Sequence, residues 1–203
     1  MFYNRLYNQI YICTNGYVTF ESNDQFNELD INQVKLSKLA VLFGDLDNKK
    51  YGSIFYREVT DKPTLSEIAT ILYQDYNQLL NINYGFVVTW KDIPSYGIFD
   101  KSVRRNNTFQ LIIGAEAGRS SYSIFTYKDI SFDTYNFTAA ITFDNTYSFK
   151  KEINDEMRSA LKSGSPYKFT FELNRLNKAG LLAFDRHVLV LCLILVKLVF
   201  GLV

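Results

Sequence analysis

The chain has 203 residues, enough for one domain with a hydrophobic core, and its 22 basic and 21 acidic side chains leave a formal net charge of +1. Because no basic field is present to attract phosphate groups, the charge argues against a nucleic-acid partner or an anionic membrane surface. Aromatic residues make up 16% of the chain, with 15 Tyr and 17 Phe, and this excess favours strands. Composition therefore predicts a β-rich core.

Two short segments at the start of the chain, residues 8–13 and 17–21, are rich in aromatic and β-branched side chains. Asn15 and Gly16 lie between them, and the Asn-Gly pair favours the tight turn of a β-hairpin. Residues 22–38 are mainly polar, so we expect a long loop that leads to the next strand.

Residues 39–58 are the stretch around which we expect the fold to be organised. Residues 39–43 are all apolar, as in a strand covered on both faces, and residues 53–58 form a second strand, which predicts a hairpin. Asp45 and Asp47 lie two residues apart in the turn, so in an extended segment both carboxylates point to one side. Such a pair suits calcium, although Asp in a solvated turn also commonly accepts backbone N–H groups.

A helix is predicted to begin at Thr64, because Thr64 and Glu67 have the spacing of a capping box just after Pro63. Apolar residues then recur every three or four positions, which predicts one apolar face over residues 64–80. Its members are Leu65, Ile68, Ala69, Leu72, Tyr76, Leu79 and Leu80. We expect this face to cover a sheet, with partner binding as the alternative.

Five further segments have the residue content of strands, and they are residues 84–91, 108–114, 122–127, 137–143 and 167–173. We expect the first three to be antiparallel neighbours in a meander. A short second helix is predicted over residues 152–163, with Gly164 in the position of its C-terminal cap. The predicted fold class is mainly β (α+β), an antiparallel sandwich-like sheet with one amphipathic helix packed on it.

Five blocks of the sequence, in order and approximate spacing, resemble the NIDO, or nidogen-like, domain family. The blocks are residues 7–20, 39–58, 87–90 with Tyr96, 107–111 and 123–127, and they extend over about residues 2–132. The resemblance implies the extracellular, non-enzymatic module of nidogen, alpha-tectorin and certain membrane mucins, which is associated with cell-matrix adhesion. It therefore implies matrix or cell-surface proteins as partners. Only residues 1–6 stand where the family has its first strand, so a truncated domain is expected.

No catalytic set can be assembled from the residues present. His187 is the single histidine and lies beside an apolar tail, so neither a Ser-His nor a Cys-His arrangement fits the core. Cys13 and Cys192 lack a zinc-binding spacing. The sequence thus predicts no enzyme activity and no cofactor. The alternative to an adhesion module is a calcium- or glycan-binding module that uses Asp45 and Asp47.

Two triplets of the Asn-x-Ser/Thr type, at Asn106 and Asn136, match the acceptor sequence for glycosylation of a secreted protein. The first residues of the chain do not have the charged head and apolar run of a secretory signal. An extracellular or cell-surface location is nevertheless expected from the family resemblance.

Residues 1–178 are expected to form the domain and residues 179–203 an apolar tail. Residues 188–203 contain one charged side chain, Lys197, and their number falls just short of the ~17 to 25 that a membrane-spanning helix needs. Because Lys197 can extend its amine to the far interface, a tail helix that anchors the chain in a membrane is one interpretation. The others are a core segment of a longer protein and sequence from a mistaken reading frame.

Overall fold

The computed structural model describes residues 5–20, 37–97, 106–118, 120–130, 137–143, 146–163, 167–174 and 184–185. In chain order its elements are β1 (Tyr11–Cys13), β2 (Tyr17–Thr19), β3 (Lys38–Phe43), β4 (Ser53–Val59), α1 (Lys62–Tyr76), β5 (Tyr84–Pro94), β6 (Asn106–Ala115), β7 (Ser121–Asp129), β8 (Thr138–Phe143), β9 (Thr146–Glu152), α2 (Asp155–Lys162), β10 (Tyr167–Glu172) and β11 (Phe184–Asp185). The strands form a five-stranded sheet, ordered β1-β2-β3-β8-β9, and a six-stranded sheet, ordered β11-β10-β7-β6-β5-β4. All pairs are antiparallel, as predicted.

The predicted hairpin of residues 39–58 is wrong, because its two strands belong to different sheets. β3 pairs with β2 and β8 in the five-stranded sheet, whereas β4 pairs with β5 at the edge of the other sheet. Residues 44–52 therefore carry the chain from one sheet to the other. β3 is buried at every position because it is the central strand of its sheet, and β4 is mostly exposed because it is an edge strand.

The two sheets pack face to face around one hydrophobic core, which makes the fold a β-sandwich. Two buried side chains of the six-stranded sheet donate hydrogen bonds to the backbone of the other sheet. Trp90 Nε1 lies 2.9 Å from the Cys13 carbonyl oxygen, and the Tyr127 hydroxyl lies 2.7 Å from that of Val41. The Trp90 ring also stacks on Phe109, with ring centroids 5.0 Å apart. Part of the aromatic excess in the composition thus lies between the two sheets.

Helix α1 covers the outer face of the six-stranded sheet, as predicted, but its limits differ from residues 64–80. The helix begins after Asp61, whose carboxylate accepts the Thr64 N–H at 3.0 Å, so the predicted cap at Thr64 is wrong. Asn77 ends it in a left-handed conformation. Leu79 lies beyond this end and is 88% exposed, so it does not belong to the buried face. The buried apolar residues of that face are Leu65, Ile68, Ile71 and Leu72, and the predicted members Ala69 and Tyr76 pack against them partly buried.

A buried ion pair joins the last turn of α1 to β10. Lys168 Nζ lies 2.7 Å from Asp75 Oδ2, and the side chains are only 5% and 1% exposed, respectively. The Thr170 hydroxyl donates to the same oxygen at 3.1 Å. The pair therefore fixes the end of the helix over β10.

The remaining sequence predictions are met in part. The meander of β5, β6 and β7 is confirmed, whereas β9 was not predicted, because its charged edge does not have the pattern of a buried strand. The second helix is shorter than residues 152–163 and is capped by Asn154. Gly164, the loop at residues 22–36 and the tail at residues 188–203 lie outside the described residues. Of the helices described, none is long and apolar enough to cross a membrane.

Candidate functional site

The acidic turn, residues 44–48, lies at one end of the sandwich and is held by two neighbouring segments. The Leu46 N–H donates to Asn15 Oδ1 at 3.1 Å, which ties the turn to the β1–β2 connection. On the other side, the Asp47 N–H donates to the Pro94 carbonyl at 3.0 Å, and Tyr96 N–H donates to the Asp45 carbonyl at 2.8 Å. The backbone of the turn is therefore fixed independently of its carboxylates.

Gly16, in the β1–β2 connection, fixes the end of β3 that leads into the acidic turn. Its carbonyl accepts two hydrogen bonds, from Val41 N–H at 3.0 Å and Leu42 N–H at 3.1 Å, where β3 shifts its register against β8. The residue has φ +78°, and a Cβ at this position would overlap the Leu42 carbonyl. Only glycine satisfies both conditions, because other residues disfavour positive φ and carry the Cβ. The Asn-Gly pair in the sequence thus marks a close contact between the β1–β2 connection and β3 as well as a hairpin turn.

The two predicted metal-site residues lie on either side of buried Leu46. Partial burial raises the pKa of the Asp45 carboxyl, and the negative charge of Asp47 raises that pKa further. Asp47 Oδ1 also accepts the Lys49 N–H at 2.9 Å, as in an ordinary Asp turn. Within the described ranges, no cluster of three or more His, Cys, Asp or Glu side chains is arranged to hold a metal ion. A cation bound here would need backbone or amide oxygens in addition to the two carboxylates.

An aromatic groove of about 410 Å³ opens at the other end of β5, beside β4. Its lining includes Tyr7, Phe20, Glu58, Tyr84, Phe86 and Leu173. Tyr7 packs against Phe20 with ring centroids 4.9 Å apart, and Tyr56 stacks on Phe86 at 6.2 Å just outside the groove. Burial raises the pKa of Tyr84, and the charge of Glu58 adds to that rise. The groove thus combines apolar walls with the carboxylate of Glu58 and the hydroxyl groups of Tyr7, Tyr84 and Ser121.

The groove was not predicted, because each aromatic residue was interpreted as part of a strand core. No local pattern in the sequence marks it, since its lining residues lie far apart in the chain, from Tyr7 to Leu173.

Asn106, one of the two predicted glycosylation residues, pairs with Pro94, whose carbonyl accepts the Asp47 N–H of the acidic turn. Asn106 begins β6, and its side-chain oxygen is buried. Thr108 of the same triplet is buried, and its hydroxyl accepts the Asp92 N–H at 3.1 Å. Asn136 lies outside the described residues.

A family model described as "Nidogen-like domain" matches residues 8–174. The match covers most of the chain and runs from the segment before β1 to just after β10. It includes the acidic turn, every described strand except β11, and the lining of the aromatic groove except Tyr7. The chain belongs to the nidogen-like domain family.

Three curated proteins illustrate the similarity. The chain is 29% identical to Alpha-tectorin of Gallus gallus over 140 residues, which is 66% of this chain and 6% of that protein. It is 24% identical to Dendrite extension defective protein 1 of Caenorhabditis elegans over 180 residues, 86% of this chain and 16% of that protein. It is 28% identical to Nidogen of Drosophila melanogaster over 136 residues, 63% of this chain and 10% of that protein.

The chain therefore matches a small part, 16% or less, of each of these relatives. No solved structure matches it.

Proposed function

We propose that this chain is an extracellular, non-enzymatic protein-interaction module that takes part in cell-matrix adhesion. The observation that carries the proposal is the match of the nidogen-like model to residues 8–174, which include β1 to β10. Similarity to Nidogen and Alpha-tectorin supports the same class of role. The partners we propose are matrix or cell-surface proteins.

The aromatic groove supports a binding role in this module. Large aromatic side chains that are partly exposed beside a carboxylate give the apolar area and the orienting polar group typical of protein-interaction sites. Tyr84, Phe86 and Glu58 come from neighbouring rigid strands, so little conformational entropy would be lost on binding.

The adhesion proposal can be tested with the full chain immobilised on a surface and overlaid with a reconstituted matrix preparation. We expect saturable binding that is unchanged by a calcium chelator and is weakened by Phe86→Ala. Tyr73→Ala, which truncates an exposed aromatic residue on α1, is the matched control and should bind like the unmodified chain. If the folded chain shows no saturable binding to matrix, or turns over a substrate, the proposal is wrong.

A second candidate is a calcium- or glycan-binding module centred on Asp45 and Asp47. It is favoured by the proximity of the two carboxylates, since the charge of Asp47 raises the pKa of Asp45. Its test is calorimetric titration with calcium and with a glycan panel, using the Asp45→Asn, Asp47→Asn double variant.

The control for that titration is Asp61→Asn, which removes a carboxylate elsewhere while Asn keeps the helix cap. The calcium proposal expects heat that the control retains and the double variant loses. Equal titration curves for all three chains would exclude a site at the acidic turn.

We also propose that residues 188–203 associate with a membrane, so that the module is held at a cell surface. The support is their apolar sequence with the single charge of Lys197.

A further inference from the structure

The aromatic groove beside β4 carries a single charge among its described lining residues. Glu58 is the charged residue, and the others are aromatic, aliphatic or neutral and polar. Tyr84 and Phe86 of β5 supply two aromatic rings, and Tyr7 before β1 and Phe20 after β2 supply two more. The groove therefore places one carboxylate among rings that come from two separate parts of the chain.

The register of β4 and β5 directs Glu58 toward the rings. Glu58 is the direct partner of Phe86, so the two side chains lie on the same face of the sheet. Tyr84 lies two residues before Phe86 in β5 and is therefore on that face as well. The charge of Glu58 adds to the burial that raises the pKa of Tyr84, which places the carboxylate close to the Tyr84 hydroxyl.

Within the described part of the chain, no basic side chain pairs with Glu58. Arg57 directly precedes it in β4, so the Arg57 side chain lies on the opposite face, where its Nη1 is 4.0 Å from Asp61 Oδ2. Arg5, near the start of the chain, lies over the ring of Phe143, 5.0 Å from its centroid. Because Glu58 is exposed, its charge is available to a cation from another molecule.

We propose that the aromatic groove accepts an arginine side chain of a protein partner, with the Glu58 carboxylate as its counter-ion. This proposal rests on the proposed function, because it names the chemistry by which the module would recognise a matrix or cell-surface protein. The face of an aromatic ring is negative and attracts a guanidinium within ~6 Å of the ring centroid. A planar guanidinium also donates two parallel hydrogen bonds to a carboxylate, which a lysine ammonium cannot do. Arginine therefore fits the groove better than lysine.

The size and the remaining lining of the groove suit a side chain that is carried on a peptide. Its volume of about 410 Å³ lies near the lower end of the ~300 to 1,000 Å³ of small-ligand sites, so it can hold one long side chain. Ile113 and Leu173 supply apolar walls, along which the methylene groups of an arginine can be buried. Asn8 and Gln9 are exposed amides in the lining that can donate to and accept from a peptide backbone.

The first test titrates the full chain with blocked amino acids and follows their binding by saturation-transfer NMR. N-acetyl-arginine methylamide should bind with a dissociation constant on the order of millimolar. The citrulline counterpart has nearly the same shape without the charge, and it should bind on the order of tenfold more weakly. The lysine counterpart and choline, which are cations without a guanidinium, should also bind more weakly. Lysine or choline binding as tight as arginine binding would overturn the proposal.

Glu58→Gln should weaken binding of the arginine probe on the order of fivefold and leave binding of the citrulline probe unchanged, because it removes only the charge. Glu58→Asp keeps the charge and should retain more arginine binding than Glu58→Gln. Glu156→Gln, at an exposed position of α2 outside the groove, is the matched control and should bind like the unmodified chain. Circular dichroism and thermal unfolding establish that each variant is folded. An arginine probe that binds equally to the unmodified chain and to Glu58→Gln would overturn the proposal.

The second test repeats the matrix overlay on the immobilised full chain in the presence of these probes. The arginine probe, at about ten times its measured dissociation constant, should displace the matrix preparation, whereas the citrulline probe should not. Matrix binding that is insensitive to the arginine probe and to Glu58→Gln would overturn the arginine proposal and leave the adhesion role intact. Absence of matrix binding would instead contradict the adhesion role. In that case, the probe titration alone decides whether the groove recognises a guanidinium through Glu58.

Discussion

Gly16 and Asp45 show how single residues shape the acidic turn. Gly16 is required by geometry, because its carbonyl accepts two β3 amides while its positive φ and missing Cβ allow the close approach. Asp45 destabilises the folded chain when it is ionised, because partial burial and the charge of Asp47 both raise the pKa of its carboxyl. Gly16 is therefore needed for the fold, whereas Asp45 is not needed for it and is available for a function.

Gly16→Ala should destabilise the chain strongly. The left-handed conformation costs a residue with a Cβ about 1 to 2 kcal/mol, and the overlap with the Leu42 carbonyl should add about 1 to 3 kcal/mol. Gly118→Ala is the control, since Gly118 has φ +65° but open space around its Cβ position. Urea unfolding of both variants measures the difference. Equal losses would mean that the close contact has no energetic effect.

Asp45→Asn should stabilise the chain at pH 7 in calcium-free buffer. Because the folded-state pKa of Asp45 is raised, stability is highest below the unfolded-state pKa and falls as pH rises through the folded-state pKa. Asn removes this loss, so its advantage should be a few tenths of a kcal/mol at pH 7, the range of surface changes, and should vanish near pH 4.

Denaturant unfolding over this pH range measures the advantage. Asp61→Asn is the control with the opposite sign, because hydrogen bonds from Thr64 lower the pKa of Asp61. Its carboxylate contributes stability that is lost as pH falls, so replacing it should bring no gain at pH 7. A less stable Asp45→Asn chain at pH 7 would contradict the burial argument.

At the scale of the element, position in the sheet decides how a strand is used. β3 and β4 have similar lengths, but the first is central and buried at every position, whereas the second is an edge and mostly exposed. Helix α1 adds its apolar face to the outer side of the same sheet that β4 terminates. The packing of α1 on the sheet can be tested at Leu72 on its apolar face and at Asp75 in its last turn.

Leu72→Ala should cost about 2 to 5 kcal/mol, because Leu72 is fully buried between α1 and the sheet. Leu79→Ala is the matched control, since Leu79 lies past the helix and is exposed. Its effect should stay within about 0.5 kcal/mol. Chemical unfolding of the two variants compares them, and similar losses would show that the helix does not dock as described.

Lys168→Met should cost about 3 to 5 kcal/mol, because it leaves the Asp75 carboxylate buried without its cation. The double variant Asp75→Leu, Lys168→Met removes both charges and should recover most of this loss. Thermal unfolding of the single and double variants tests the coupling. A double variant no more stable than Lys168→Met would show that the pair is not coupled.

At the scale of the whole molecule, the sandwich has two ends with different chemistry. The acidic turn lies where β5 ends, and the aromatic groove lies where β5 begins. The family match ends at residue 174, and the short strand β11 pairs with β10 further along the chain. A truncation that removes only the apolar tail should therefore leave the acidic turn, the aromatic groove and β11 intact.

A chain that ends at His187 should stay in the soluble fraction with unchanged unfolding temperature, whereas the full chain should sediment with membranes. The reason is that residues 188–203 are apolar and lie after the last described strand. Fractionation after expression of both chains measures this. A soluble full chain together with an aggregated truncated chain would show that the tail belongs to the core.

Local patterns in the sequence were sufficient to predict the meander of β5, β6 and β7 and the apolar face of α1, whereas the family was identified by the resemblance of five sequence blocks. These features depend on near neighbours, because side-chain periodicity and turn residues act over a few positions. Strand alternation predicts that the carboxylates of Asp45 and Asp47 point to one side, and this stays a prediction. The true cap at Asp61 was missed, because Thr64 and Glu67 offered an equally good local pattern.

Only the tertiary structure decided which sheet each strand joins. A two-residue turn can be recognised from sequence, but the crossing of residues 44–52 between sheets depends on faces that pack over long distances in the chain. For the same reason, the sequence alone could not show that β4 is an open edge or that Tyr84 and Phe86 line a groove. Exposure of a strand is set by what packs beside it, and its own residues are compatible with either environment.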